Sequence, residues 1–539
     1  MGKLMDRAFC IVGPPGCGKT FSITKSVQKN IKDYGPKKVI VCSLTRAAAT
    51  EAAGRVGLPR NQVGTLHSFA YRALDRPVLA ETKIQEWNKE HPKLGITNKN
   101  SDVNDSFDAG PCAGGGDELY ADYSLRRARM QPKDSWPGAL RSFAKRWEEW
   151  KQSNELMDFT DLIEYAAKDV KVAPGGPSAI YMDEAQDSSL LEAELLRWWS
   201  LGVDKSVIVG DPNQSLYAWR GASPEEFFPP DMPQERKWVL GQSYRVPRAV
   251  LDMSLRWIRN MPGYVEEPYL PRKDEDDNEV KGKADILPQA SLRHPGPLLD
   301  HVLKRLKEEK SVMILASCGY MLSPLVNLLR RHGVPFHNPY RRKAGAWNPL
   351  HSSGVSGRDR LLAWLAPRSD LWGDKARTWT MRDVQLWASI LEAKGVFVRG
   401  AKRQMEEAGE LDSCSLSERL MSWFEPEALQ KVLSLDMEWW QSKVMKNRKK
   451  GLEFPLLVFR KHGAHTLAQE PKLIVGTIHS VKGGQADVVY VSPDLSMAGA
   501  LEWRKRSRSV YRLFYVAMTR AREELYLLGG GGSSNRVGW

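Results

Sequence analysis

"RAFCIVGPPGCGKTFSITKSV" (residues 7–27) sets an apolar run against a glycine- and proline-rich loop and then a stretch with helical spacing. Gly13 to Thr20 fit the spacing G-x-x-x-x-G-K-[ST], and the order strand, loop, helix is the context that spacing needs. With no side chains at Gly13, Gly16 and Gly18, backbone N–H groups can approach phosphate oxygens, and the positive end of the following helix adds to the attraction. Lys19 is then placed to reach the β- and γ-phosphates, and the Thr20 hydroxyl to ligate Mg²⁺. ATP and Mg²⁺ are the cofactors expected.

Further short apolar runs follow: "KKVIVCSL" (37–44), "SAIYMDEA" (178–185), "KSVIVGD" (205–211), "SVMILAS" (311–317), "KLIVGTIHS" (472–480) and "ADVVYVSP" (486–493). Buried strands that alternate with helical segments imply parallel sheets covered on both faces. The runs fall into two groups, so an α/β fold with two sheets is expected. Between their strands lie two stretches of different character, a Gly-rich then basic and aromatic one and a Trp-rich helical one. The second carries a capping-box pattern at Thr380 to Asp383. The acidic "KDEDDNE" (273–279) reads as a solvated loop or a connection between domains.

The chain has 539 residues and a formal charge of +14, which favours a polyanionic partner. No apolar run is long enough to span a bilayer. The six cysteines are scattered without metal spacing, so reduced thiols in a cytoplasmic, intracellular setting are expected. In "IYMDEAQD" (180–187) a buried strand delivers Asp183 to its end, where a carboxylate can hold Mg²⁺ through water. Glu184 beside it can orient and deprotonate an attacking water.

The order "GPPGCGKT", "GTLHSFAYRAL", "DFTDLI", "DEAQD", "GDPNQSLYAWRGA", "QSYR", "GTIHSVKG" and "YVAMTRARE" resembles the UvrD/Rep family of superfamily 1 DNA helicases. The resemblance implies two RecA-like P-loop domains, each with a mainly helical insertion. The first would comprise 1–74 and 146–245, with 75–145 inserted. The second would comprise 246–345 and 456–528, with 346–455 inserted, and 529–539 would be a flexible tail. It also implies that Asp211 and Gln214 face nucleotide, Gln214 sensing the γ-phosphate, while Tyr217 and Trp219, with Arg220 beside them, meet nucleic-acid bases. Tyr244 would pack on the adenine, and Arg245 and Arg520 would reach the γ-phosphate from the two domains. Thr65, His67 and Phe69 in the first domain, and Thr477 and His479 in the second, would contact DNA.

This chain departs from the family pattern in several places. After "HSVKG" the family has Leu-Glu, whose carboxylate meets the ribose, whereas Gly484 and Gln485 stand here, leaving Gln485 as the weaker hydrogen-bonding candidate. "GLEF" at 451–454 is a decoy. The family's glutamine-bearing segment ahead of the loop is missing, and the second insertion is shorter than in the bacterial housekeeping members. The basic runs at 341–347, 443–450 and 503–508 could follow a DNA backbone. The expectation is a monomeric, ATP-driven helicase or translocase on single-stranded DNA and duplex junctions, 3′ to 5′ by resemblance, with a protein partner through the insertions. A translocase that displaces proteins, or needs a partner to unwind, is one alternative. An ATP-gated DNA-binding switch is another.

Overall fold

The computed structural model describes residues 8–43, 57–97, 115–229, 232–341, 347–351, 354–409, 413–532 and 534–539, without the side chains of 413–415. Most of the glycine-rich stretch 110–116 and of the basic run 341–347 therefore lies outside the described residues.

The strands in chain order are β1 (Phe9–Val12), β2 (Val39–Ser43), β3 (Val63–Gly64), β4 (Val78–Leu79), β5 (Leu156–Met157), β6 (Ala179–Asp183), β7 (Lys205–Gly210), β8 (Lys237–Val239), β9 (Lys283–Leu287), β10 (Val312–Ala316), β11 (Leu473–Thr477), β12 (Ala486–Val491) and β13 (Ala521–Leu528). The first sheet runs β3-β2-β6-β7-β1-β8 and the second β11-β10-β12-β13-β9. Every pairing within them is parallel.

Period-2 alternation explains why both faces are covered. In β2, Val39 and Val41 join Ile11, Tyr181 and Val209 on one face, where Ile23 and Val27 of helix Lys19–Tyr34 pack. Ile40 and Cys42 point the other way, to Cys10, Ile180, Met182 and Ile208. The second sheet divides likewise, with Met313, Leu315 and Val489 on one face and Val312, Ile314 and Tyr490 on the other. Each such aliphatic side chain contributes about 1.5–3 kcal/mol by leaving water. The α/β expectation, with two parallel P-loop-type sheets, therefore holds.

The first insertion closes on its own aromatic core of Trp87, Trp136, Trp147, Trp150, Tyr123 and Phe143. A buried charge cluster ties it to the first sheet's unit. Arg127 Nη2 donates to Asp161 Oδ1 at 2.6 Å, and Lys151 Nζ to Asp158 Oδ2 at 2.6 Å. Asp158 and Asp161 are also the capping box of helix Phe159–Asp169, so the "DFTDLI" stretch fixes the insertion and a helix start together. The second insertion is helical around Trp364, Trp379, Trp387, Trp423 and Trp440, and Thr380 caps helix Met381–Ala388 as its sequence foretold.

Three details differ from the sequence expectation. Helix Gly138–Ser153 runs through the boundary expected at 145, because Trp147 and Trp150 belong to the insertion's core. The helical stretch Lys446–Ala468, broken at Gly463, runs through the boundary expected at 455, with Leu452, Val458 and Leu467 all in the insertion's core. The tail expected to be flexible is packed where it is described: Val537 is buried, and Trp539 donates Nε1–H to Leu528 O at 2.8 Å against Trp257 and Phe514. Two apolar side chains after the glycines outweigh the freedom the glycines provide.

Candidate nucleotide and nucleic-acid site

The register of the first sheet brings the motif residues together. Val12 pairs with Gly210 and Ser43 with Asp183, so the loop 13–18, Asp183 and Asp211 all lie at the carboxyl ends of neighbouring strands. Ligands of open α/β sheets bind at that edge.

Gly16 and Gly18 have φ of 78° and 74°, which is left-handed backbone that favours glycine. Gly16 has a second reason, since a Cβ there would lie 2.6 Å from Arg245 Cβ. Helix Lys19–Tyr34 starts with no side-chain cap, so its first-turn N–H groups receive no side-chain acceptor. Lys19 curls over the loop and donates to Gly13 O at 2.7 Å. The loop is pinned from outside the motif: Ser243 Oγ and Tyr269 Oη both donate to Pro15 O, at 3.2 and 2.9 Å, and Tyr244 N donates to Gly16 O at 2.8 Å. Tyr244 itself is 72% exposed beside Gly18.

Burial and the neighbouring Glu184 push Asp183 up to about 7. For Glu184, burial acts upward too, but Lys482 and Lys19 outweigh it and hold the carboxyl down at about 2. Two adjacent carboxylates, Asp183 buried and Glu184 about a third exposed, with the buried one raised, mark a place where a divalent cation would lower the free energy. Thr20 and Asp183 supply the hydroxyl and carboxylate such a cation would need, and the glycine loop with Lys19 fits a polyphosphate. No cluster of three or more His, Cys, Asp or Glu suited to a metal occurs among the described residues.

The opposite wall comes from the second sheet's unit. Arg520 donates Nη2–H to Gln214 Oε1 at 3.2 Å and Nη1–H to Gly484 O at 3.3 Å. Burial, then the charge of Arg245, lower Arg520 to about 9. Gln214 in turn donates Nε2–H to Asp211 Oδ2 at 2.7 Å. Arg245 donates Nε–H to Gln485 Oε1 at 2.9 Å, so Gln485, expected at the sugar, here meets an arginine.

Three residues that sequence reasoning passed over complete the site. Lys482, inside "GTIHSVKG", crosses to the first unit and pairs with Asp187 and, at 3.3 Å, with Glu184. Burial raises Asp187 while Lys482 opposes it. Lys482 is itself raised, since Asp187 and Glu184 outweigh its burial. The ionised pair satisfies both groups, because an uncharged Asp187 would leave a buried ammonium with Glu184 alone. Gln186 links Glu184 Oε2, at 2.6 Å, to Asp211 N, at 3.1 Å. All three sit in stretches already singled out, and for Gln186 and Asp187 the polar residues following "DE" were the available signal.

The residues expected at nucleic acid divide in two. Trp219 and Arg220 are half-buried, as are Thr65 and His67. Thr65 caps helix Leu66–Ala73 by accepting Ser68 N–H, and His67 Nδ1 lies 3.5 Å from Glu192 Oε1. Tyr217, Phe69, Thr477 and His479 are buried in this structure. Phe69 is 1% exposed in the first sheet's core. Tyr217 is 2% exposed, covered by His479, by Trp219 and by Lys482 over its ring. Thr477 accepts Ser480 N–H, and His479 is bonded to the Leu216 backbone and lowered by burial to about 4. Tyr217 and His479 cover each other across the two units, whereas Phe69 and Thr477 are buried within their own. "GLEF" lies within helix Lys446–Ala468, remote in sequence from the cleft motifs, with Leu452 in the insertion's core.

Among the described residues no helix is long and apolar enough to cross a membrane. Comparison with known proteins gives a family model for an AAA domain over residues 2–220 and one for a UvrD-like helicase C-terminal domain over 472–528. A probable DNA helicase II homolog of Mycoplasma capricolum is 22% identical over 327 residues, covering 54% of this chain and 43% of the relative. The ATP-dependent DNA helicase PcrA of Staphylococcus aureus is 24% identical over 282 residues, covering 48% of this chain and 39% of that protein. The matched part thus spans less than half the length of these relatives. The two family models fall on the stretches that supply the phosphate loop and the facing arginine, and with these relatives they make the chain similar to the UvrD/Rep-like superfamily 1 helicases.

Proposed function

We propose that the protein is an ATP-dependent DNA helicase or translocase that moves on single-stranded DNA, 3′ to 5′ as its family resemblance suggests. One observation carries this reading: "GDPNQSLYAWRGA" bonds Arg520 through Gln214 at one end and holds half-exposed Trp219 at the other. It also touches the second unit in its middle, where Leu216 meets His479. A change in cleft closure would therefore move a base-stacking side chain.

When bound, a Mg²⁺–ATP pair supplies the reactive phosphoryl group and a charge that Thr20 and Asp183 would hold. Lys19 would exchange Gly13 O for phosphate oxygens. Glu184 would accept the proton of an attacking water, a task made harder while Lys482 keeps it strongly acidic. Arg245 and Arg520 would stabilise charge on the transferring group and make turnover depend on both units being in place.

The test is ATP hydrolysis by wild type and Glu184→Gln, with and without single-stranded DNA. Stimulation by DNA in the wild type and its loss in the variant is the expected result, and DNA-independent turnover would refute the coupling. Directional displacement on tailed duplexes then separates unwinding from translocation that only strips bound protein. ATP hydrolysis with no movement along DNA would favour the ATP-gated switch.

A further inference from the structure

Two adjacent residues of the second unit take one nitrogen from each cleft arginine. Gln485 Oε1 accepts Arg245 Nε–H at 2.9 Å, and Gly484 O accepts from Arg520 Nη1 at 3.3 Å. Neither acceptor is charged. Tyr340 lies close over the backbone between them, since a Cβ on Gly484 would lie 2.3 Å from the Tyr340 hydroxyl and 2.8 Å from its Cζ.

We propose that Tyr340, Gly484 and Gln485 form a positioning element for the two arginines, and that Gln485 acts on nucleotide through Arg245 rather than by touching the sugar. This rests on the reading of the cleft as an ATP site.

The physical case lies in the kind of acceptor. A guanidinium bonded through Nε keeps both terminal nitrogens, with four N–H groups, for an incoming anion. A carboxylate at 485 would form a charge-assisted pair with Arg245 and compete with the phosphate for the same charge. An amide orients the plane and leaves the charge uncommitted. After burial, the nearby charge of Arg245 is the largest influence lowering Arg520, so the two guanidiniums repel each other. That repulsion is relieved when an anion enters between them.

Gln485 is exposed, so its substitution spares the core. The first measurement uses nucleotide-free protein: hydrogen exchange of the Arg245 Nε–H by NMR, assigned by its loss in Arg245→Lys. Gln485→Ala is expected to speed exchange about tenfold or more as the acceptor is lost. The second is kcat and KM for ATP and dATP. Gln485→Glu, which still accepts the bond, is expected to lower kcat about tenfold for both nucleotides. Both substitutions should become silent in an Arg245→Ala background. Unchanged exchange in Gln485→Ala would overturn the proposal. So would a rise in KM for ATP but not dATP that persists without Arg245, which would assign Gln485 to the ribose. Failure of the wild type to bind any nucleotide would defeat the ATP-site reading instead, and the exchange measurement would still judge the contact itself.

Discussion

Replacing Lys482 by Met removes the ammonium that joins the second unit to Asp187 and Glu184 while keeping most of its apolar stem. The Asp187 side chain is 0% exposed, and its remaining donors would be Leu216 N–H at 2.9 Å and Gln186 Nε2 at 3.4 Å. At the 3.3 Å separation from Glu184, the direct attraction is about 5 kcal/mol for an effective dielectric near ~20. The desolvation of both charges offsets much of that, whereas removing one partner of a buried pair typically costs about 3–5 kcal/mol. The units can relieve the loss by parting and letting water reach Asp187, so the lower end, about 3 kcal/mol, is expected. The assay is a double-mutant cycle in denaturant with Lys482→Met, Asp187→Asn and the pair. Asparagine still accepts Leu216 N–H, so the double variant should regain most of the loss, giving a coupling of at least about 2 kcal/mol. A coupling below about 0.5 kcal/mol would show that the charges are hydrated and that the bridge does not hold the units together.

Other outcomes follow from the same geometry. Trp219→Ala should weaken single-stranded DNA binding by about 1–3 kcal/mol per stacked base, read by fluorescence titration, whereas Tyr217→Ala should lower the melting midpoint because its ring is covered. Burial and Asp158 raise Glu81 to about 7. From the ordinary carboxylate value up to there, the folded chain holds a proton the unfolded chain has lost, so stability falls as pH rises through this window. Glu81→Gln should remove up to about 3 kcal/mol of that slope, and melts at pH 5 and pH 8 that differ equally in both proteins would exclude it. Gly484→Ala should cost less than about 1 kcal/mol in thermal melts, because the exposed Tyr340 ring can swing away, and a loss of about 3 kcal/mol or more would show that the ring is held in place.

The strands apolar on both faces were legible: β1, β2, β6, β7, β10 and β12, with the edge strand β11, all fall within runs readable from composition alone. The remaining strands of the two sheets were not. β9 carries Lys283 and Asp285 and is only partly covered, and β13 opens with Arg522, Glu523 and Glu524 before its apolar half. β3 has two residues and β8 three, too few to show a period. In the site, Gly13 to Thr20 and Asp183–Glu184 were readable because the chemistry is local. Tyr217 and Lys482 were not, since their surroundings are set by residues about 260 to 300 positions away, and no local pattern distinguishes a ring that stacks on a base from one that another unit covers.

The register of the first sheet also governs how the chain assembles as it is made. β1 emerges well before its partners β7 and β8, so it has no neighbour until roughly 200 further residues have followed, a wait of about 10–40 seconds at ordinary synthesis rates. The first insertion is translated within that interval and has an aromatic core of its own to close on. Nascent chains interrupted between the first insertion and β7 would carry a folded insertion beside a β1 that still lacks both of its partners. For this protein, chaperone demand during synthesis would peak there and end abruptly once β7 is released.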